Sequence, residues 1–147
     1  MRSIDPAGFN IVKTNEGCLL HSYQDVAGVW TIGYGHTPAR PGQTITQAEA
    51  DALLIQDLQH AEVAVDSCTS DVPTTDNQFS AMVSLAFNIG TGAFHASSVL
   101  RDHRGREYGA AANAFLLWDK AHINGQLVMV RGLLRRRNEE RDLYLSP

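Results

Sequence analysis

Three polar residues near the start of the chain are of types that could together perform acid–base chemistry. Asp25 lies nine residues after Glu16, and Thr31 lies six residues after Asp25. Hydrolysis of a glycosidic bond needs a carboxylic acid for the leaving oxygen and a carboxylate that activates water or stabilises an oxocarbenium-like transition state. A hydroxyl donates and accepts hydrogen bonds, so Thr31 could hold a water against Asp25. By spacing and chemistry alone, a helix end followed by an ordinary surface hairpin is the preferred interpretation of these residues, and a catalytic set is the alternative.

The elements expected around these residues would give the two carboxylates different surroundings. The stretch PAGFNIVKTNEG predicts a short helix that ends at Glu16. HSYQD and VWTIGY, joined by a turn at VAG, are rich in β-branched and aromatic residues and predict a strand pair. Glu16, beside Leu19 and Leu20, would then keep its proton through partial burial, whereas Asp25 at the turn would stay solvated and ionised.

Helices are expected to follow this hairpin. Thr46 with Glu49, and Thr75 with Gln78, have the spacing of capping boxes. They predict a long helix to about Asp66 and a second helix that Gly90 ends. Shorter helices are expected near residues 98–103, capped by Ser97 or Ser98, and from about Glu107. HINGQ is expected to be a loop, and GQLVMVRGLLRRRNEERDLYL to be a last helix, with three leucines facing inward: Leu133, Leu134 and Leu143.

These elements predict an α+β fold in a single domain over residues 1–147. A small N-terminal β-hairpin lobe, about 14–45, would be linked by a long helix, about 46–66, to a helical C-terminal lobe, about 67–147. The chain has 147 residues, of which 44% are hydrophobic, and is long enough to bury a core. A cleft between two such lobes is a usual place for a substrate.

The charge distribution argues against a nucleic-acid-binding protein. Net charge is −4, and residues 41–98 contain seven acidic residues and no Lys or Arg. Five arginines fall in the stretch RGLLRRRNEER, but Glu139 and Glu140 interrupt it and no aromatic residues interleave with it. Binding phosphates needs a sustained positive surface. The arginines are therefore interpreted as a solvated face of the last helix.

Metal and redox sites are also not expected. The six histidines show no ligand spacing such as a helical i, i+4 pair. The two cysteines, Cys18 and Cys68, are too few for a disulfide framework and are expected to be buried free thiols. His36 is expected to be a structural hydrogen-bonding group, and Trp30 and Trp118 to be core residues.

The order of these motifs resembles one known enzyme family. Glu16, Asp25 and Thr31, running into TIGYGHT, are similar to the active-site signature of the phage-type lysozymes, the endolysins of glycoside hydrolase family 24. AMVSLAFNIGTGAF resembles the central helix of that family and the turn after it. AAANAFLLWDKA and RGLLRRRNEERDLYL resemble its last two helical segments, so the similarity covers nearly the whole chain.

The resemblance implies a lysozyme-like α+β fold and cleavage of the β-1,4 bond between N-acetylmuramic acid and N-acetylglucosamine in peptidoglycan. If Asp25 acts on a water held with Thr31, and does not attack the sugar itself, the reaction should invert the anomeric carbon. The resemblance implies Glu16 as the general acid, Asp25 as the carboxylate that positions or activates water, and Thr31 as the residue that holds this water. It also implies four residues lining the sugar cleft, Gly35, Thr37, Phe87 and Asn88, and an arginine of the last helix facing Glu16.

Partners and location follow as expectations. Peptidoglycan is the expected substrate of a monomeric enzyme that uses no metal or cofactor and binds no nucleic acid. Asp5 and Pro6 stand where a secretory apolar stretch would run, and no window is long enough for a membrane span. We therefore expect synthesis in the host cytoplasm, no stable membrane association, and a holin pore that gives access to the wall.

Overall fold

The structure is a computed structural model that describes residues 2–147. Its α-helices are α1 (Pro6–Glu16), α2 (Gln47–Thr69), α3 (Asp76–Ile89), α4 (Thr91–His95), α5 (Ser98–Arg104), α6 (Tyr108–Ala114) and α7 (Arg131–Leu145). A 3₁₀ turn at Phe115–Leu117 follows α6. The strands are β1 (Leu19–Gln24), β2 (Trp30–Gly33), β3 (Lys120–Ile123) and β4 (Gln126–Met129). They form two separate antiparallel pairs, β1 with β2 and β3 with β4. The mixed α+β fold predicted from the sequence is confirmed.

The chain forms two compact units, whose boundaries fall within α1 and α2. One unit is residues 12–60 and holds the first hairpin. Its buried apolar side chains come from the end of α1, from β2 and the loop after it, and from α2. They are Val12, Ile32, Tyr34, Ala50, Leu54 and Leu58.

The first hairpin forms where α1 ends. Gly17 has a φ of +71°, a backbone conformation that glycine adopts at little cost, and it stops α1 directly after Glu16. β1 and β2 then pair with Tyr23 opposite Thr31 and Gln24 opposite Trp30. The predicted helix end and strand pair are therefore both present.

Side-chain caps fix where α2 and α3 begin. The Thr46 hydroxyl accepts from the Glu49 backbone N–H at 3.1 Å, and the Glu49 carboxylate accepts from the Thr46 backbone N–H at 3.4 Å. The equivalent reciprocal pair, Thr75 with Gln78, precedes α3. Both predicted capping boxes are confirmed, and α2 runs three residues beyond Asp66 because its last turn continues to Thr69.

The other unit contains residues 2–11 and 61–147, and α3 packs against α7 inside it. Its largest fully buried apolar side chains are Phe79, Met82, Leu85, Phe94, Phe115 and Tyr144. The Ser97 hydroxyl caps α5 by accepting from the Leu100 backbone N–H at 3.2 Å. Of the two predicted caps, Ser97 is thus the one used.

The prediction of a loop at HINGQ was wrong, because these residues belong to the β3–β4 hairpin. Asn124 and Gly125 have φ values of 52° and 77°, and positive φ at both central residues is the requirement of a type I′ turn. Asn-Gly is the commonest dipeptide in that turn, so this signal was present in the sequence. The last helix consequently begins at Arg131, six residues later than predicted.

The buried face of α7 also differs from the prediction. Leu133, Leu134 and Leu143 are only half-buried. The residues that α7 buries are instead Arg136, Arg137, Glu140 and Tyr144. Two of the arginines interpreted as a solvated face are therefore internal.

Four residues predicted to be buried are partly exposed. Cys18 and Cys68 are free thiols, as predicted, but each is only half-buried. Trp30 and Trp118 are half-buried too, so neither is a full core residue. Within residues 2–147, the structure contains no helix that is both long enough and apolar enough to cross a lipid bilayer.

Candidate active site

Glu16, Asp25 and Thr31 all lie in the unit formed by residues 12–60. Glu16 is the last residue of α1 and is half-buried. One turn earlier, the Lys13 ammonium lies 3.2 Å from the Asp51 carboxylate of α2. This ion pair ties the end of α1 that carries Glu16 to α2.

Asp25 is exposed and closes the turn between β1 and β2. One carboxylate oxygen, Oδ1, accepts from the backbone N–H groups of Ala27 and Val29, both at 2.9 Å. The Asp25 backbone N–H also donates to the Val29 carbonyl at 2.9 Å. Asp and Asn often bond to the backbone in this way at turns, and here the bonds fix the direction of the carboxylate.

Thr31 is 4% exposed, and its hydroxyl donates to the Val29 carbonyl oxygen at 2.9 Å. The carbonyl of Val29 therefore accepts from both the Asp25 backbone and the Thr31 side chain. Through this one peptide group the hairpin holds the acidic residue and the hydroxyl in a fixed relation.

The four predicted sugar-contact residues divide between the two units. Gly35, with a φ of +82°, and Thr37 lie in the exposed loop after β2. Phe87 is half-buried and Asn88 is exposed near the end of α3. The Arg137 guanidinium donates to the Asn88 side-chain oxygen at 2.7 Å, which leaves the Asn88 NH₂ as the group available to a ligand. Their contact with sugar remains a prediction.

Asn88 also borders an open pocket of about 310 Å³. The other residues that line it are Ile89, Trp118, Lys120 and Leu133. An aromatic ring, an amide and an ammonium around an apolar floor form a surface of mixed character, of the kind that small polar ligands use.

A second set of polar residues, which the sequence did not single out as a group, supports the hairpin from α2. The His36 ring nitrogen Nδ1 lies 2.9 and 3.1 Å from the two Asp57 carboxylate oxygens. Gln47 donates to the Tyr34 hydroxyl at 2.9 Å and to Asp51 at 2.9 Å. His36 is thus a structural hydrogen-bonding residue, as predicted. Asp57 was missed because its partner is 21 residues away and no local pattern links them.

The pKa shifts differ between the residues of this polar set. Burial raises the pKa of the Tyr34 hydroxyl, an effect that the hydrogen bond from Gln47 partly opposes. The pKa of Asp51 is lowered, first by the hydrogen bond from Gln47 and also by Lys13. Asp51 is therefore a carboxylate at neutral pH and keeps its attraction to Lys13.

The unit thus presents two carboxyl groups and a buried hydroxyl on elements whose ends are held by specific bonds. Carboxyl groups placed in different surroundings are the groups that acid–base hydrolysis of a glycosidic bond requires. Within residues 2–147, no group of three or more His, Cys, Asp or Glu side chains is arranged to hold a metal ion.

Comparison with known proteins assigns the chain to a family. The family described as phage lysozyme matches residues 13–140. The endolysin of Salmonella phage P22 is 43% identical over 152 residues, which cover 99% of this chain and 100% of the relative. The endolysin of Acyrthosiphon pisum secondary endosymbiont phage 1 is 39% identical over 144 residues, 97% of this chain and 98% of the relative.

Solved structures agree with these sequence relatives. The muramidase domain of SpmX from Asticaccaulis excentricus superposes with a TM-score of 0.93 at 42% identity, and the match covers 100% of both chains. A structure of P22 lysozyme superposes with a TM-score of 0.88 at 43% identity, over 99% of this chain and 100% of the other. On the family match, the near full-length relatives and the shared fold, this chain belongs to the phage lysozyme family.

Proposed function

We propose that the chain is a muramidase that hydrolyses the β-1,4 bond between N-acetylmuramic acid and N-acetylglucosamine in peptidoglycan, for lysis of the host cell by a phage or prophage. The proposal places it in glycoside hydrolase family 24, as a monomeric single-domain enzyme that inverts the anomeric carbon. The observation that carries it is the hairpin arrangement in which Asp25 and Thr31 share the Val29 carbonyl.

In this mechanism Glu16 is the general acid. Its carboxyl group protonates the glycosidic oxygen as the bond to the anomeric carbon breaks. Positive charge then develops on the sugar ring, and the Asp25 carboxylate stabilises it while accepting a proton from the attacking water. Water adds to the face opposite the leaving group, so the new hydroxyl has the inverted, α configuration.

The hydrogen bonds of Thr31 determine how such a water would be oriented. The single hydroxyl hydrogen of Thr31 is donated to Val29, so its oxygen faces a water only as an acceptor. A water between Thr31 and Asp25 would therefore point one hydrogen at each residue. Its lone pair would then be directed away from both of them and be free to attack the sugar.

The hairpin register supports this placement of the water. Thr31 lies opposite Tyr23, and Asp25 comes two residues after Tyr23 on the other side of the hairpin. Diagonal neighbours in an antiparallel pair are separated by roughly 7–8 Å. One water bridging two short side chains spans a gap of that size.

Access and substrate contact are part of the same proposal. Gly35, Thr37, Phe87 and Asn88 would contact the glycan, and a holin pore would bring the enzyme from the host cytoplasm to the wall. Expression with and without a holin tests whether the pore is needed, since lysis should require it. Lysis that proceeds equally without a holin would contradict it.

The central test is Glu16→Gln, which keeps the size of the side chain and removes the acidic proton. Turnover should fall by about 10² to 10⁴, with circular dichroism unchanged. Glu107→Gln, an exposed glutamate that makes no side-chain cap bond to its own helix, is the matched control and should retain full activity.

Product analysis identifies the bond and the stereochemistry. Mass spectrometry of digested peptidoglycan should show new reducing ends at muramic acid, and early-time NMR should show the α-anomer. New ends at glucosamine, or a β-anomer formed first, would overturn the assignment of the bond or of inversion. A protein that binds wall material without releasing reducing ends would instead be a wall-binding relative.

A further inference from the structure

The strand that carries Thr31 is held on both of its edges. One edge of β2 pairs with β1. On the other edge, Ile32 exchanges two backbone hydrogen bonds with His36, at 2.8 and 3.0 Å, and the Ala39 N–H donates to the Trp30 carbonyl at 3.0 Å. Both neighbours of Thr31 in the chain are therefore bonded to the loop that follows β2.

This loop turns back sharply on its own strand. Gly33 and Gly35 have φ values of +66° and +82°, which let the chain reverse within three residues. A Cβ added to Gly33 would come within 3.5 Å of Ala50 on α2, so the end of β2, where the loop begins, passes close to that helix.

A side-chain pair fastens the same loop to α2. Both Asp57 oxygens face His36 Nδ1, and the two side chains are only 30% and 21% exposed. A long helix is a stiffer support than a surface loop, because its backbone groups are bonded to one another. The loop is thus tied to α2 on one side and hydrogen-bonded to β2 on the other.

We propose that His36 and Asp57 are positioning residues, which set the location of the Thr31 hydroxyl by fastening the loop after β2 to α2. This inference rests on the proposed function, in which Thr31 holds the attacking water. Neither residue touches the substrate in this scheme. Each acts through Ile32 and the backbone ladder of β2.

The expected effect is on turnover and not on substrate binding. Misplacing a catalytic group by 1 Å can cost on the order of 10²-fold in rate. A loosened loop should displace Thr31 by less than that, so Asp57→Ala should lower kcat by about tenfold. KM should stay within about twofold, because the variant removes no contact that binds the substrate equally in the ground state and in the transition state. Asp57→Asn should restore most of kcat, since its amide oxygen still accepts from His36.

The decisive experiment is a double-mutant cycle with Thr31→Val. Rates are measured as reducing-end release from soluble peptidoglycan fragments, well below the melting temperature of every variant. If Asp57 acts through Thr31, Asp57→Ala should lower kcat by less than about twofold in the Thr31→Val background, because interacting residues are non-additive. His36→Ala repeats the cycle from the other partner, should Asp57→Ala fold poorly.

A matched ion pair in the other unit supplies the control. Arg104 and Asp71 form a two-pronged pair at 2.8 and 3.0 Å, and Asp71→Ala breaks it without touching the hairpin. It should leave kcat and KM unchanged. An equal loss from Asp57→Ala in both backgrounds would rule out the positioning role. Parental kcat in Thr31→Val alone would rule out Thr31 as the residue that holds the water. A parent protein that releases no reducing ends would refute the proposed function instead.

Discussion

Arg137 and Glu140 lie fully buried one turn apart on α7, with the guanidinium Nε 2.8 Å from the carboxylate Oε1. A second buried arginine, Arg136, lies 3.2 Å from the other carboxylate oxygen, Oε2. The Ser84 hydroxyl of α3 donates to Oε2 at 2.5 Å. One carboxylate therefore lies against two internal cations. Burial raises the pKa of Glu140, although both guanidiniums oppose this rise.

Removing this carboxylate should be costly. Glu140→Gln would remove the carboxylate that lies against both buried guanidiniums, and breaking a buried pair typically costs about 3–5 kcal/mol. We expect the free energy of unfolding, measured by urea titration, to fall by about 3 kcal/mol or more. The exposed Glu107→Gln should change it by less than about 0.5 kcal/mol. A loss below about 1 kcal/mol in Glu140→Gln would show that water or other groups compensate the two cations.

Local signals in the sequence predicted several element boundaries, but they did not predict the buried cluster around Glu140. Signals that act over three or four residues, such as the Thr46 and Thr75 capping boxes and the glycine stops, correctly located the starts of α2 and α3 and the ends of α1 and α3. The family signature placed Glu16, Asp25 and Thr31 in one stretch, and they lie in one unit of the fold. Their catalytic roles still depend on the proposed mechanism.

Interactions that depend on distant partners were not predictable in this way. A run of charged residues normally faces solvent, so nothing local indicated that Arg136 and Arg137 are internal. Their burial depends on Glu140 and on Ser84, which is more than 50 residues away. The Asn124-Gly125 turn is a different case, because its signal was local but the surrounding residues were taken for the start of the last helix.

Acid stability should depend on His103, which is fully buried between two hydroxyl groups. Its Nδ1 lies 2.6 Å from the Tyr144 hydroxyl, and its Nε2 lies 2.8 Å from the Thr74 hydroxyl. Thr74 also donates to the Val72 carbonyl at 2.8 Å, so a neutral ring that donates from Nε2 and accepts from Tyr144 satisfies every group. Burial, with a smaller contribution from Arg104, lowers the pKa of His103 to about 4.

The direction of this pH dependence of stability follows from comparing the folded and unfolded states. Between pH 6.5 and about 4 the unfolded chain binds a proton at His103 that the folded chain does not, so stability is lost as the pH falls through this window. The contribution lost between pH 7 and pH 4.5 is about 2.5 kcal/mol. His103→Gln should reduce the pH dependence of the urea unfolding free energy by about that amount. The exposed His122→Gln should keep the parent's dependence, and a parental dependence in His103→Gln would exclude this histidine as its source.

Thr31→Val tests whether the hydroxyl serves catalysis or folding. The substitution keeps the β-branched shape, and the Val29 carbonyl retains its hydrogen bond from the Asp25 backbone. We therefore expect the free energy of unfolding to change by less than about 1 kcal/mol. The rate should fall by at least about tenfold, because the water loses one of its two acceptors. Thr31→Ser keeps the hydroxyl and should retain most of the activity. Near-parental rates in Thr31→Val, with a lowered melting temperature, would mean that the hydroxyl is structural.

Salt dependence should report the arginines of α7 that reach solvent. Arg131 and Arg135 are exposed, whereas Arg136 and Arg137 are internal and cannot form part of a basic surface strip. Peptidoglycan carries stem-peptide carboxylates, and attraction between exposed charges is screened over roughly 10 Å at 0.1 M salt. The rate on purified peptidoglycan should therefore fall between low and physiological salt.

Arg135→Gln should flatten that fall without lowering the melting temperature. Arg101→Gln, which removes one positive charge from α5, where the side chain is 75% exposed, is the charge-matched control and should leave the salt profile unchanged. If the parent's rate stays constant over this range, or if both variants flatten it equally, then Arg135 gives no specific attraction and only the net charge of the protein matters.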